Sequence, residues 1–229
     1  VEIPVVFESQ FQLRYLMLEA LPEYLDGLII SSPSNPTGSM ISYYNMHALV
    51  DWCSNKGVRL ISDEIYHGIV CADQACTALG FSDHAVVINS FSKYFSMTGW
   101  RLGWMVVPED MLRPIECLAL NLFISPPTLS QVAAEAAFDC TEELNQHVNR
   151  YRNNRDLLLE QLPKAGLTNI APVDGAFYIY ADVSHLTNDS SNFCQKMLTE
   201  IGVAITPGVD FDSKNGKSFV RICFSGSNK

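Results

Sequence analysis

The chain has 229 residues, 48% of them hydrophobic, and a formal net charge of −10 at pH 7. That length can bury a real core, as one large domain or two smaller ones; the acidity and the lack of any basic run argue against a nucleic-acid partner. The seven cysteines (53, 71, 76, 117, 140, 194, 223) are odd in number and contain no Cys-x-x-Cys. That is poor disulfide or zinc arithmetic, and it points to reduced thiols in a cytoplasmic protein.

No signal peptide is visible and no apolar stretch has membrane-spanning length. From Phe11 to Pro22 the apolar residues recur at mixed helical spacing, which predicts a short helix. Gly27 to Ser31 predicts a short buried strand that ends in a Ser/Pro/Asn/Gly loop. Ser42 is placed to cap a helix from Tyr43 to Asn55, and Gly57 to end it. Strands are predicted at Val58–Ser62, Ala85–Asn89 and Leu102–Val107, the earlier ones parallel with right-handed crossovers. A helix from Glu109 to Leu122 carries Pro114, which bends it or delays its start. Thr128 to Cys140 reads as helix, and Thr141 opens a long amphipathic helix reaching about Leu162. Strand Ala176–Ala181, helix Ser191–Ile201, strand Val203–Thr206 and strand Phe219–Phe224 follow. Strands and helices alternate, so the class is α/β.

The run from Ile88 to Trp104 carries the strongest chemical signal. Ser90 and Ser92 follow an apolar strand, then comes Lys93, and Arg101 stands eight residues later between Gly99 and Gly103. A lysine that forms Schiff bases must sit dry and pre-positioned. Hydroxyls and a guanidinium nearby can hold a phosphate. Lysine beside a phosphate clamp suggests pyridoxal phosphate (PLP), whose aldehyde bonds a lysine amine. A snorkelling lysine, a serine turn and a solvated arginine are the bland alternative.

This run resembles the cofactor-lysine signature of the class I and II aminotransferases, the fold type I PLP enzymes of the aspartate, alanine and aromatic aminotransferase kind. Three further stretches agree in the family's order: Ser34-Asn35-Pro36-Thr37-Gly38, Asp63-Glu64-Ile65-Tyr66, and Arg221. The resemblance covers essentially the whole chain. It implies part of a PLP-transferase fold, a mostly parallel sheet flanked by helices with an antiparallel fourth strand, plus a smaller α+β C-terminal domain. On that reading residues 1–148 belong to the large PLP-binding domain and 149–229 to the small one.

Roles follow from the resemblance. Lys93 would form the internal aldimine and then move the proton. Asp63, at the carboxyl end of its strand, would face the pyridine nitrogen; an N-cap aspartate is the ordinary alternative. Tyr66 and Asn35 would bond the cofactor's phenolic oxygen, and Ser90, Ser92 and Arg101 would clamp its phosphate. The Asn35–Pro36 bond is a candidate for the cis form. Arg221, with Asn35 beside it, would take the substrate's α-carboxylate; an outward-facing strand arginine is the alternative. Gly175-Ala176-Phe177-Tyr178 resembles another substrate-side stretch, with Gly175 as a close-approach residue and the aromatics as core. None of the five histidines has metal-ligand spacing, and no metal is expected.

The implied activity moves an amino group between an L-amino acid and a 2-oxo acid, in an enzyme that works as a homodimer. A PLP lyase, decarboxylase or synthase would use the same lysine, and an inert binding or assembly module is a third reading. The chain opens without methionine and stops just after a strand, so the resemblance also implies a fragment. The ring-stacking aromatic, a Gly-containing phosphate turn, a closing helix and a tyrosine from a partner subunit would lie outside it. Weakened PLP affinity, little turnover and a self-associating sheet edge are the expectations for such a piece.

Overall fold

The computed structural model describes residues 1–229 apart from 22, 23, 73, 228 and 229. Strands β1 (Gly27–Ser31), β2 (Arg59–Asp63), β3 (Val86–Ser90) and β4 (Gly103–Val106) form one sheet in that order. The first three run parallel and β4 is antiparallel to β3. Helix α2 (Tyr43–Lys56) joins β1 to β2, after the short α1 (Tyr15–Leu18). Ser42 Oγ accepts from Asn45 N at 3.3 Å, and Gly57 takes φ 66° just past the last turn. These are the start and stop signals read from the sequence.

β1 alternates, and only one face is buried. Leu28 and Ile30 join Met46, Leu49, Val50 and Cys53 of α2 and Leu60 of β2 in the first core. Ile29 points the other way and is 74% exposed. The buried strand expected here is therefore a one-sided strand. The helix expected over 11–22 shortens to α1, because Gln10 and Phe11 adopt left-handed backbone (φ 55° and 52°) and the chain is extended at Arg14. Its last expected residue, Pro22, lies outside the described residues.

Helices α3 (Glu109–Leu122), α4 (Thr128–Ala137) and α5 (Thr141–Gln161) follow β4. Pro114 lies inside α3 and does not delay its start. α5 buries Leu144, Val148 and Tyr151, one stripe at helical spacing. A second sheet, β5 (Tyr178–Asp182), β7 (Phe219–Cys223) and β6 (Thr206–Pro207), is antiparallel. Helix α6 (Ser190–Lys196) continues as a π turn to Ile201, and of the strand expected at 203–206 only Thr206 is retained, as the first residue of β6. No helix among the described residues is long and apolar enough to cross a membrane.

The second core combines Val148 and Tyr151 of α5 with Tyr178, Ile179 and Ala181 of β5, Val220 of β7, and Tyr66 and Ile69 from the loop after β2. The segment before β5 holds the two sheets together. Gly175 N and Asp174 N both donate to Gly38 O, at 2.9 and 3.0 Å, and Ala176 N donates to Ile69 O at 2.9 Å. A Cβ on Gly175 would stand 2.6 Å from Pro33 Cγ, so only glycine allows this approach.

Ile179, the second residue of β5, is fully buried. Ile179→Ala should lower the unfolding free energy by about 2–4 kcal/mol, read as a lower urea midpoint with an unchanged slope.

Candidate active site

Parallel pairing sets Ser31 and Asp63, the last residues of β1 and β2, side by side with Ile88, two residues before the carboxyl end of β3 at Ser90. That edge is where open α/β sheets bind ligands. Asn35 lies in the loop after β1, and its bond to Pro36 is cis. Asp63 is the last residue of β2 rather than the first after it. It is half-buried, and its Oδ1 accepts from Ile65 N at 3.1 Å. Ser90 ends β3, and Ser92 and Lys93 continue from it.

The loop carrying Lys93 is pinned at both ends. Phe91 N donates to Leu102 O at 3.1 Å, Met97 N to Phe91 O at 3.0 Å, and Ser96 N to Lys93 O at 3.0 Å. Tyr94 Oη donates to Asn145 Oδ1 of α5 at 3.0 Å, and Ser96 Oγ lies 3.3 Å from His147 Nδ1. Lys93 is half-buried. Its Nζ lies 5.5 Å from the Tyr66 ring centre and 5.8 Å from that of Phe177. The described residues offer this ammonium no ion pair.

Ser90 Oγ lies 2.9 Å from Ser92 Oγ and accepts from Ser92 N at 3.0 Å. Thr98 Oγ1 donates to Ser92 O at 2.6 Å, and Arg101 Nη1 donates to Thr98 O at 3.0 Å. Thr98 therefore ties Arg101 to the serine turn, a link no residue pattern announced. Arg101 itself is exposed with left-handed backbone, φ 52°. Among the described residues its guanidinium donates to that carbonyl and not to either serine hydroxyl. Of the two glycines that flank Arg101, only Gly103 stands in a close approach: a Cβ there would stand 2.7 Å from Asn89 O. Nothing lies within 4 Å of the corresponding point on Gly99.

Tyr66 and Arg221 meet through a residue assigned to the core by its sequence. Tyr66 and Tyr178 are both buried, with hydroxyls 2.9 Å apart. Burial raises the Tyr66 phenol far above its ordinary range; the bond to Tyr178 adds to this, and the Arg221 charge opposes it. Tyr66 therefore stays a donor at physiological pH. The guanidinium of Arg221 is sandwiched, 4.4 Å from the Tyr178 ring centre and 4.6 Å from that of Phe211. Its Nη1 donates to Asn35 Oδ1 at 2.7 Å and its Nη2 to Thr206 Oγ1 at 3.1 Å. Its Nε is buried and has no partner among the described residues. Arg221 thus faces the Asn35 loop of the other sheet and does not project outward. Tyr178, Phe211, Thr206 and Thr98 were the residues missed.

Beneath the site lies a buried carboxylate. Glu64 is 2% exposed, and its Oε1 accepts from Ser62 Oγ at 3.1 Å and from Ala78 N at 2.9 Å. Its Oε2 lies 3.3 Å from His67 Nδ1. These contacts fix the backbone between Asp63 and Tyr66. No group of three or more potential metal ligands occurs among the described residues.

The family model described as aminotransferase class I and II matches residues 4–229. A valine–pyruvate aminotransferase from Mycobacterium tuberculosis is 50% identical over 99% of this chain, which spans 59% of that protein. A (5-formylfuran-3-yl)methyl phosphate transaminase from Methanocaldococcus jannaschii is 36% identical over 91% of this chain and 55% of its own length. A crystal structure of an aminotransferase from Mycobacterium tuberculosis superposes with TM-score 0.96 at 49% identity, over 99% of this chain and 59% of that one. The aspartate aminotransferase from Thermus thermophilus with maleate gives TM-score 0.88 at 29% identity, over 99% and 60%. The chain thus spans about three-fifths of the length of these relatives.

Removing the Glu64 carboxylate leaves Ser62 Oγ, Ala78 N and His67 without their acceptor. Glu64→Ala should destabilise the fold by about 2–4 kcal/mol in a denaturant titration, more than Glu64→Gln, which keeps one acceptor oxygen.

Proposed function

We propose that this chain, which belongs to the class I and II aminotransferase family, carries the lysine side of a PLP-dependent aminotransferase site, moving an amino group between an L-amino acid and a 2-oxo acid. The observation that carries this reading is the position of Lys93. Its amine has no ion pair among the described residues and faces the rings of Tyr66 and Phe177, on a loop pinned between β3 and α5.

The donor chemistry fits the cofactor. A carboxylate (Asp63), a phenol held protonated (Tyr66) and an amide (Asn35) meet at one sheet edge with an amine and a pair of hydroxyls. When bound, PLP supplies the electron sink for the substrate's α-carbon. Asp63 would hold the proton on the pyridine nitrogen. Tyr66 Oη and Asn35 would donate to the phenolic oxygen. Ser90, Ser92 and, after its side chain turns from Thr98 O, Arg101 would hold the phosphate. Lys93 Nζ would carry the proton to and from the substrate α-carbon. Arg221 would take the α-carboxylate, and its unpartnered Nε supports a further acceptor there. The aromatic rings on both faces exclude water from that ion pair.

The valine–pyruvate relative supports an aliphatic L-amino acid and pyruvate as the first pair to assay. We place the boundary between the units near residue 148, inside α5, and read the working enzyme as a cytoplasmic homodimer on the family resemblance.

Borohydride treatment of the complete enzyme, loaded with PLP, should label Lys93 alone, and Lys93→Ala should lose both the label and the cofactor's visible band. A wild-type protein that takes up no label would overturn the reading. Arg221→Ala should raise KM for L-valine roughly 10- to 100-fold, the range of one charge-assisted hydrogen bond. It should affect a primary amine lacking a carboxylate far less. Equal effects on both substrates would remove Arg221 from its assigned role.

A further inference from the structure

Tyr178 stands between two groups that the proposed function uses separately. Its hydroxyl is 2.9 Å from that of Tyr66, and its ring face lies 4.4 Å from the Arg221 guanidinium. It is buried at the first position of β5 and pairs with Cys223, two residues beyond Arg221 on β7. The main-chain bonds at Asp174, Gly175 and Ala176 fix the approach to this strand. Both contacts are therefore made from a rigid element.

We infer that Tyr178 is a positioning residue that couples the two halves of the site, aiming the Tyr66 hydroxyl with its own hydroxyl while its ring supports the Arg221 clamp. The inference rests on the cofactor reading above and adds a residue to it.

The physical argument concerns one proton. A phenol has a single O–H and two lone pairs. If Tyr66 donated to Tyr178, its proton would be unavailable to a ligand. If Tyr178 donates to Tyr66, the Tyr66 proton is free to point at an anionic oxygen in the site. Anion binding selects the second arrangement, because successive O–H dipoles then align toward the charge. Burial keeps Tyr66 protonated, which the arrangement requires. No other acceptor for the Tyr178 hydroxyl occurs in the described hydrogen bonds, so a Phe at 178 leaves Tyr66 with its proton but without the donor that polarises it. The ring contact to Arg221 is separate: Phe keeps an aromatic face, and Leu removes it.

The test uses the complete enzyme loaded with PLP and reads the absorbance of the bound cofactor against pH. In Tyr178→Phe the apparent pKa of that titration should move upward by roughly half a unit to one unit, since a weaker Tyr66 donor stabilises the deprotonated form less. Tyr66→Phe should shift it further in the same direction. Adding Tyr178→Phe to Tyr66→Phe should then change nothing more, a non-additivity that mere packing does not produce. Tyr178→Leu should in addition raise KM for L-valine several-fold above that of Tyr178→Phe. An unshifted titration in folded Tyr178→Phe, or additive shifts in the double variant, overturns the inference while leaving the function intact. If Tyr178→Phe does not fold, Tyr178→Leu is read in both backgrounds: an upward shift alone that vanishes in Tyr66→Phe supports the coupling, and no shift, or an equal shift in both backgrounds, overturns it. A wild-type protein with no cofactor band overturns the function itself, and that result is seen before any variant is made.

Discussion

The parallel register of β1, β2 and β3 is the constraint from which the candidate site follows. Parallel strands deliver their carboxyl ends to the same edge. Ser31 and Asp63 end their strands side by side and β3 ends at Ser90, two residues past Ile88, which pairs with Asp63, so the loops after them emerge near one another. Asn35, Asp63, Tyr66, Ser90, Ser92 and Lys93 are spread over 59 positions of sequence yet arise within a few residues of one line across the sheet. A slip of one residue in β2 would turn Asp63 from one face to the other and exchange buried Leu60 and Ser62 for their neighbours. The one-sided burial of Leu28, Ile30 and Leu60 against α2 resists that slip.

Closure of the site depends on a second connection, between the two sheets. Arg221 Nη1 reaches Asn35 Oδ1 across 186 positions of sequence. The backbone at 174–176 bonds Gly38 on one side and Ile69 on the other. Tyr66 belongs by sequence to the loop after β2, but by packing it belongs to the core of β5, β7 and α5. The phenol and the guanidinium are thus held by the same body of packed side chains. Relative motion of the two sheets would have to move Tyr66, not only Arg221, away from Lys93.

Much of this was legible in the sequence because it lies in local patterns. Ser42 and Gly57 frame α2 through short-range hydrogen bonding and a left-handed backbone, both properties of the residues themselves. The strands at 27–31, 86–90 and 219–223 announce themselves by apolar runs, and Lys93 by its serine and glycine neighbours. What was not legible depends on contacts across the chain. Ile29 looks as buried as Ile30 in a one-dimensional pattern, and only the sheet shows that one faces α2 and the other faces away. Tyr178 reads as core, and it is core; that its hydroxyl meets Tyr66, 112 positions earlier, is a tertiary fact. Gly99 and Gly103 look equivalent beside Arg101, yet only the second stands against a carbonyl. The length of α1 was misjudged because left-handed backbone at Gln10 and Phe11 has no side-chain signature.

The buried hydroxyl pair raises a question of stability that bears on function. Two phenylalanines at 66 and 178 would pack nearly as well and would leave no polar atom to desolvate. Two hydroxyls in the same place must satisfy each other, and a single neutral hydrogen bond returns only about 0.5–1.5 kcal/mol net. Tyr66 retains hydrogen-bonding capacity beyond Tyr178, because a phenol can both donate and accept. The same holds for Arg221, whose Nε is buried without a partner among the described residues while its two ring contacts shield it from water. Unspent polar capacity inside a packed core is destabilising unless a ligand uses it. Tyr66 and Arg221 are two such groups, one a neutral donor and one a cation, joined through the single residue Tyr178. A ligand with an anionic oxygen for the first and a carboxylate for the second would relieve both.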